Sequence, residues 1–302
     1  MRFLIKINLV LLVALSLLSA QVEMAGNRDF KGPRFYYDVA SAMIPENPTL
    51  IRLYVYIELQ NDQLQFIKAG DGYEAAYEIA AVIFDNNNDQ VDGKIWKEEV
   101  FVQNYDETSN LKDFNFSHSS FDLEPGNYKV NIMVQDMETE MTSRESLKLK
   151  LDGYSKDAVQ LSNITFLKGF ERDSVGIKTI FPSVTTQNKG LKGESFAYFE
   201  IYAPESAETA KITYEMKGRN TKRRIKDAYS LPLTGQRTLE VIPIHADSLE
   251  HDTYDLKIEA EIDGKKVSSE KPFTIRWDGL PFGTQDLDTA IEQVKYIATQ
   301  EE

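Results

Sequence analysis

The chain has no cysteine among its 302 residues. That excludes disulfides, thiol nucleophiles, zinc–thiolate centres and iron–sulfur ligation. Histidine is almost as scarce. His118, His245 and His251 are the three present, and no two stand at the helical spacing that seeds a metal site. His245 and His251 fall in loop-like sequence. No Gly-x-Ser-x-Gly elbow raises a serine to a nucleophile, and no glycine-rich phosphate loop occurs. The expectation is a protein that is not an enzyme, with no catalytic residue, cofactor or metal.

The first residues read as a secretory signal. Arg2 and Lys6 precede an apolar run from Ile7 to Leu18, and Ser19 and Ala20 are small residues suited to cleavage. The run falls short of the ~20 apolar residues that cross a bilayer, so no transmembrane segment is expected once residues 1–20 are removed. No cysteine follows to carry a lipid anchor. Without Arg2 and Lys6, 32 basic side chains face 48 acidic ones, a net charge of −16. Such a surface repels phosphate backbones, so nucleic acid is not an expected partner. Export without cysteine points to a bacterial envelope protein, in the periplasm, associated with the outer membrane, or extracellular.

What the chain has in quantity is period-two alternation. Leu53, Val55, Ile57 and Leu59 share one strand face, with Arg52, Tyr54, Tyr56 and Glu58 on the other. Tyr73 to Ile83 repeats the pattern, and turn residues such as Asp92-Gly93 and Pro125-Gly126 punctuate it. A segment also recurs. Leu123 to Ile132 matches Leu249 to Ile258 at an offset of 126 residues, and the same offset aligns Leu147 with Phe273 and Leu149 with Ile275.

Each copy leads a loop into a tyrosine, Tyr128 or Tyr254, in the manner of a tyrosine corner. Val130, Ile132, Val134, Leu256, Ile258 and Ala260 should then point inward. Met137 to Glu140 and Asp263-Gly264 should be hairpin turns. The predicted fold is all-β: two tandem immunoglobulin-like β-sandwich domains at 28–152 and 156–277, joined near Asp152-Gly153-Tyr154. Beyond them, 278–302 holds a turn and a short amphipathic helix with Leu287, Ile291, Val294 and Ala298 at helical spacing and Asp286 as N-cap.

Several segments then carry a family resemblance. They are Phe35-Tyr36-Tyr37-Asp38-Val39-Ala40, Gln63 to Lys68, Gly70 to Ala75, and Trp277-Asp278-Gly279-Leu280-Pro281 followed by Leu287 to Gln293. The chain resembles the N-terminal part of GWxTD domain-containing proteins, a bacterial family. The motif that names the family, Gly-Trp-x-Thr-Asp, does not occur here. The resemblance therefore implies an N-terminal arm whose polypeptide continues past Glu302, and it implies no activity.

Three features are candidate sites. Asp85-Asn86-Asn87-Asn88-Asp89 opens like a calcium loop, but Gln90 and Trp96 stand where glycine and glutamate belong, so a polar hairpin turn is expected. The basic run Lys217, Arg219, Lys222, Arg223, Arg224 and Lys226 could dock an anionic glycan, a membrane surface or an acidic partner, or could only guard a sheet edge. Tyr54 and Tyr56 could form a platform for protein or sugar, or pack against the neighbouring domain. The expected function is a non-enzymatic binding or scaffold protein of the envelope. Its partner would be another envelope protein or its own missing C-terminal domain, with a glycan ligand or an enzyme domain beyond Glu302 as alternatives.

Overall fold

A computed structural model describes residues 32–110, 113–155, 157–174, 176–184 and 194–275. The expected signal peptide and C-terminal helix lie outside the described residues. Strand accounts for 67% of the structure and helix for 4%, which settles an all-β class. The strands are β1 (Phe35–Met43), β2 (Ile51–Gln60), β3 (Ile67–Ala69), β4 (Gly72–Phe84), β5 (Gln90–Val102), β6 (Phe114–Leu123), β7 (Gly126–Asp136) and β8 (Thr142–Leu151), with a 3-10 turn at Asn61–Gln63 and an α-helical turn, α1 (Tyr105–Thr108). They continue as β9 (Gln160–Leu161), β10 (Thr165–Arg172), β11 (Ile177–Pro182), β12 (Glu194–Tyr202), β13 (Thr209–Gly218), β14 (Arg224–Pro232), β15 (Arg237–His245), β16 (Asp252–Ile262) and β17 (Lys265–Ile275).

Alternation decides which side of each strand is buried, because successive side chains leave a pleated strand on opposite faces. Leu53, Val55, Ile57 and Leu59 of β2 are buried, as are Ala75, Tyr77, Ile79, Ala81 and Ile83 of β4. They meet in one core with Phe121 of β6 and Val130, Ile132 and Val134 of β7. That core lies between an antiparallel sheet ordered β1-β2-β6 and a second one ordered β5-β4-β7-β8, with β3 beside the start of β4.

The second half repeats the plan. Sheet β10-β12-β15, extended by β11 and β9, faces sheet β14-β13-β16-β17 across a core of Phe166, Phe199, Ile242, Leu256, Ile258 and Phe273. In each half, three corresponding strands oppose four.

The repeat is physical at the tyrosines. The Tyr128 hydroxyl donates to the Glu124 carbonyl at 2.9 Å, and Tyr254 donates to the Glu250 carbonyl at 3.2 Å. Strands β7 and β16 keep the 126-residue offset at both ends. Beyond their hairpins the offset changes, which corrects the sequence alignment. Tyr128 pairs with Leu149, whereas Tyr254 pairs with Phe273, so Leu149 corresponds to Phe273 and Leu147 to Lys271.

The cause is turn length. Asp263 (φ 49°) and Gly264 (φ 76°) form a two-residue turn with both φ positive, whereas Met137 to Glu140 needs two residues more. A slip of two preserves the face on which each side chain sits, so the alternation looks undisturbed in the sequence.

Candidate functional site

The described residues place the densest polar chemistry where the two sandwiches meet, on the outer face of sheet β1-β2-β6. Chain contacts begin at Tyr154, whose ring packs edge-on to Tyr202 at 4.5 Å and whose hydroxyl reaches the Ser41 carbonyl at 3.4 Å. Burial pushes the Tyr154 phenol up to about 12. Gln160 ties down the same connection, accepting from the Ser155 amide and donating to the Gly153 carbonyl, each at 2.8 Å.

From there a seam of bonds crosses between the halves. The Ser41 amide and hydroxyl both donate to Asn163, at 3.0 and 2.6 Å. The Met43 amide donates to the Tyr202 hydroxyl at 2.9 Å. Lys271 donates to Asp38 at 2.5 Å and to the Ile164 carbonyl at 2.9 Å, with only 12% and 13% of the two charged side chains exposed.

Lys271 stands where the first sandwich has Leu147, at an inward-facing position of its strand. Its ammonium lies over the Phe166 ring, 5.6 Å from the centroid, where it reaches the seam. At the far end of the seam Glu58 is buried, accepts from the Val184 amide at 3.2 Å and lies 3.7 Å from Lys168.

Behind the seam sits a second charge. Glu200 is buried near the C-terminal end of β12 and receives four hydrogen bonds: Arg237 Nε at 2.6 Å and Nη2 at 2.7 Å, and the Tyr198 and Tyr202 hydroxyls at 2.6 and 2.7 Å. The Glu200 carboxylate raises the Arg237 guanidinium above its ordinary value. Burial first, and the Glu200 charge second, push both phenols upward. Tyr202 thus carries the network into the seam, because its hydroxyl donates to Glu200 and accepts from Met43.

The sequence-predicted sites fare unevenly. Tyr54 and Tyr56 stack at 5.9 Å, and Tyr56 continues to Phe116, which stacks on His118 at 5.6 Å. Tyr56 is only 5% exposed, in a cluster with Ala40 and Val184, so Val184 of the second half packs over this part of the platform. Glu58, on the same strand face, is buried as well.

The basic run occupies the turn and edge expected of it. Lys217 lies one residue before the end of β13, and Arg224 and Lys226 lie at the start of β14, the outermost strand of its sheet. Arg219 grips Asp255 at 2.6 Å and Arg224 grips Glu215 at 2.8 Å, while Lys222 and Arg223 stand exposed at the turn. Asp252 holds that turn from below through the Asn220 and Thr221 amides, at 3.0 and 2.7 Å. Burial opposes its ionisation, but these donors and Thr253 prevail and hold the carboxyl below its usual range. Asp85 spends its carboxylate on the Asn87 and Asp89 amides of the β4–β5 turn. His245 ends β15 rather than lying in a loop.

Sequence reasoning missed Asp38, Asn163, Glu200, Arg237 and Lys271. One signal was readable: Glu200 interrupts the apolar run Phe196 to Ala203, and a lone acid in such a run needs a buried partner. Among the described residues no helix is long and apolar enough to cross a membrane.

No family model matches the chain, and no curated protein matches it. Solved structures with some similarity include a DUF4785 family protein from Legionella pneumophila, at 12% identity and a TM-score of 0.25. That match covers 80% of this chain and 57% of the other, so the chain spans little over half the Legionella protein's length. The C-terminal domain of the AgI/II polypeptide BspA from Streptococcus agalactiae is 9% identical with a TM-score of 0.21, covering 80% and 100%. β-Glucuronidase 2 of Bacteroides uniformis is 8% identical with a TM-score of 0.26, covering 75% and 26%. Likenesses this weak carry no functional argument.

Proposed function

We propose that this chain is an exported, non-enzymatic binding or scaffold protein of the bacterial cell envelope, in which two immunoglobulin-like sandwiches act as one stiff arm. The carrying observation is the Asp38–Lys271 pair, which joins the two halves almost out of contact with water. Charges stripped of solvent are tolerated only when their geometry is held, since any hinge that separates them leaves each one uncompensated. The Ser41–Asn163, Met43–Tyr202 and Glu58–Val184 bonds fix the same orientation along the rest of the seam.

The three-against-four strand order and the two tyrosine corners support the immunoglobulin-like reading. The arm would present a partner, either another envelope protein or a further domain of its own polypeptide as in the GWxTD family. A glycan platform on Tyr54 and Tyr56 is the weaker reading, because Val184 already covers Tyr56.

A chain without cysteine accepts engineered labels cleanly. Spin labels at Asn87→Cys and Asp263→Cys, one in an exposed turn of each sandwich, report the inter-domain distance by pulsed electron paramagnetic resonance. A single narrow distribution that broadens with Lys271→Ala is expected. A broad distribution in the unaltered arm would sink the proposal.

A further inference from the structure

Edge strands expose unpaired backbone groups, and proteins usually blunt them with charge or proline. Three edges here follow that rule. Strand β8 carries Arg144, Lys148 and Lys150, β14 carries Arg224 and Lys226, and β17 carries Lys265, Lys266 and Pro272. Strand β5 also carries charge, Lys94, Lys97 and Glu99 among it, but adds a row of exposed apolar side chains that the other three lack. It runs 13 residues, pairs with β4 alone among the described strands, and carries Val91, Ile95 and Phe101 as exposed large apolar side chains. Ile95 is 67% exposed and Phe101 55%. Their cross-strand neighbours, Ala80 and Glu74, leave both uncovered.

We propose that β5 is a homodimer interface, at which a second copy of this chain adds its own β5 antiparallel and fuses the two β5-β4-β7-β8 sheets into one. The occupant is identified by self-complementarity. A two-fold axis normal to the sheet keeps outward side chains outward, so the axis passes through a residue and the pattern reads the same from both ends. Centred on Glu98, Lys97 faces Glu99 of the second copy and Ile95 faces Phe101 of the second copy, each twice. The inward side then sets Trp96 against Val100.

Neighbouring registers fail. Centring on Lys97 opposes two lysines and sets Ile95 against Glu99. Centring on Glu99 opposes two glutamates and sets Lys97 against Phe101. Of these three registers, the one centred on Glu98 pairs unlike charges and apolar groups together on the outward face. Glu98 lies on its axis, and Ser117 draws that carboxylate inward at 2.5 Å, away from the edge.

Sedimentation equilibrium of the full chain tests the proposal. A dimer is expected within the concentration range up to ~100 μM, where interfaces of modest size assemble. Lys97→Glu alone and Glu99→Lys alone should each weaken dimerisation at least about tenfold, because two attractive pairs become two repulsive ones. The double variant Lys97→Glu/Glu99→Lys should restore it, which also shows that the single variants had not merely misfolded. A monomer throughout that range overturns the proposal. So does a dimer indifferent to the single swaps, which would be held elsewhere, and so does a double variant that fails to recover.

Discussion

Arg237→Ala is the sharpest probe of how the second sandwich is held together, because the effect of Glu200→Gln should reverse in sign once the arginine is gone. Glu200 has 4% of its side chain exposed and Arg237 has 37%. Removing the arginine therefore strands a charge that water cannot reach, with only the Tyr198 and Tyr202 hydroxyls left to it. Two unit charges about 4 Å apart at an effective dielectric near 20 attract by about 4 kcal/mol. Breaking one side of a buried pair costs about 3–5 kcal/mol.

Because Arg237 is partly solvated, we place its loss at the low end, about 3 kcal/mol, or roughly 10 °C in the melting of this domain. Glu200→Gln in the native background keeps the tyrosine bonds and loses the charge, and should cost about 1–2 kcal/mol. In the Arg237→Ala background the same change removes the stranded charge and should stabilise. Urea unfolding of the four proteins, compared at constant m-value, reads the cycle directly. If Glu200→Gln destabilises Arg237→Ala as well, a stranded carboxylate is not the source of the loss and the reasoning fails.

Other consequences can be measured in the same assay. Tyr254→Phe should cost about 1–1.5 kcal/mol, since its fully buried hydroxyl both donates to the Glu250 carbonyl and accepts from the Glu250 amide, while the half-exposed Tyr128→Phe should cost less, about 0.5–1 kcal/mol. Asp252→Ala should lose about 2–3 kcal/mol at pH 7 by orphaning the amides of the 219–223 turn. Asp252 has a lowered folded-state pKa, so its contribution is present above the unfolded carboxylate value near 4 and is lost as pH falls through the lower folded value. The gap between native protein and Asp252→Ala should therefore be constant from pH 7 to about 5 and shrink below 4; a gap that widens on acidification would contradict the assignment. Lys271→Ala should cost about 2–3 kcal/mol by uncovering Asp38, with the loss appearing as independent melting of the two halves in calorimetry.

Much of this molecule was legible from local pattern. Alternation in β2, β4, β7 and β16 named the inward residues because a pleat has a period of two and a core has one side. The pair Asp263-Gly264 announced its hairpin because both residues tolerate positive φ, and the tyrosine corners were readable because their bonds span only four residues. These are all short-range facts, decided by backbone geometry and neighbours in the chain.

The tertiary structure alone decided the rest. The two-residue slip between Leu149 and Phe273 is invisible to alternation, since an even shift leaves every face unchanged. Lys271 sits at an inward position that alternation reads as core, and its partner Asp38 lies 233 residues away. Whether Tyr56 is a platform or a seam depends on Val184 arriving over it from the other sandwich. Burial of a strand's outer face is set by what docks there, and a strand's own sequence records its pleat without recording its neighbour.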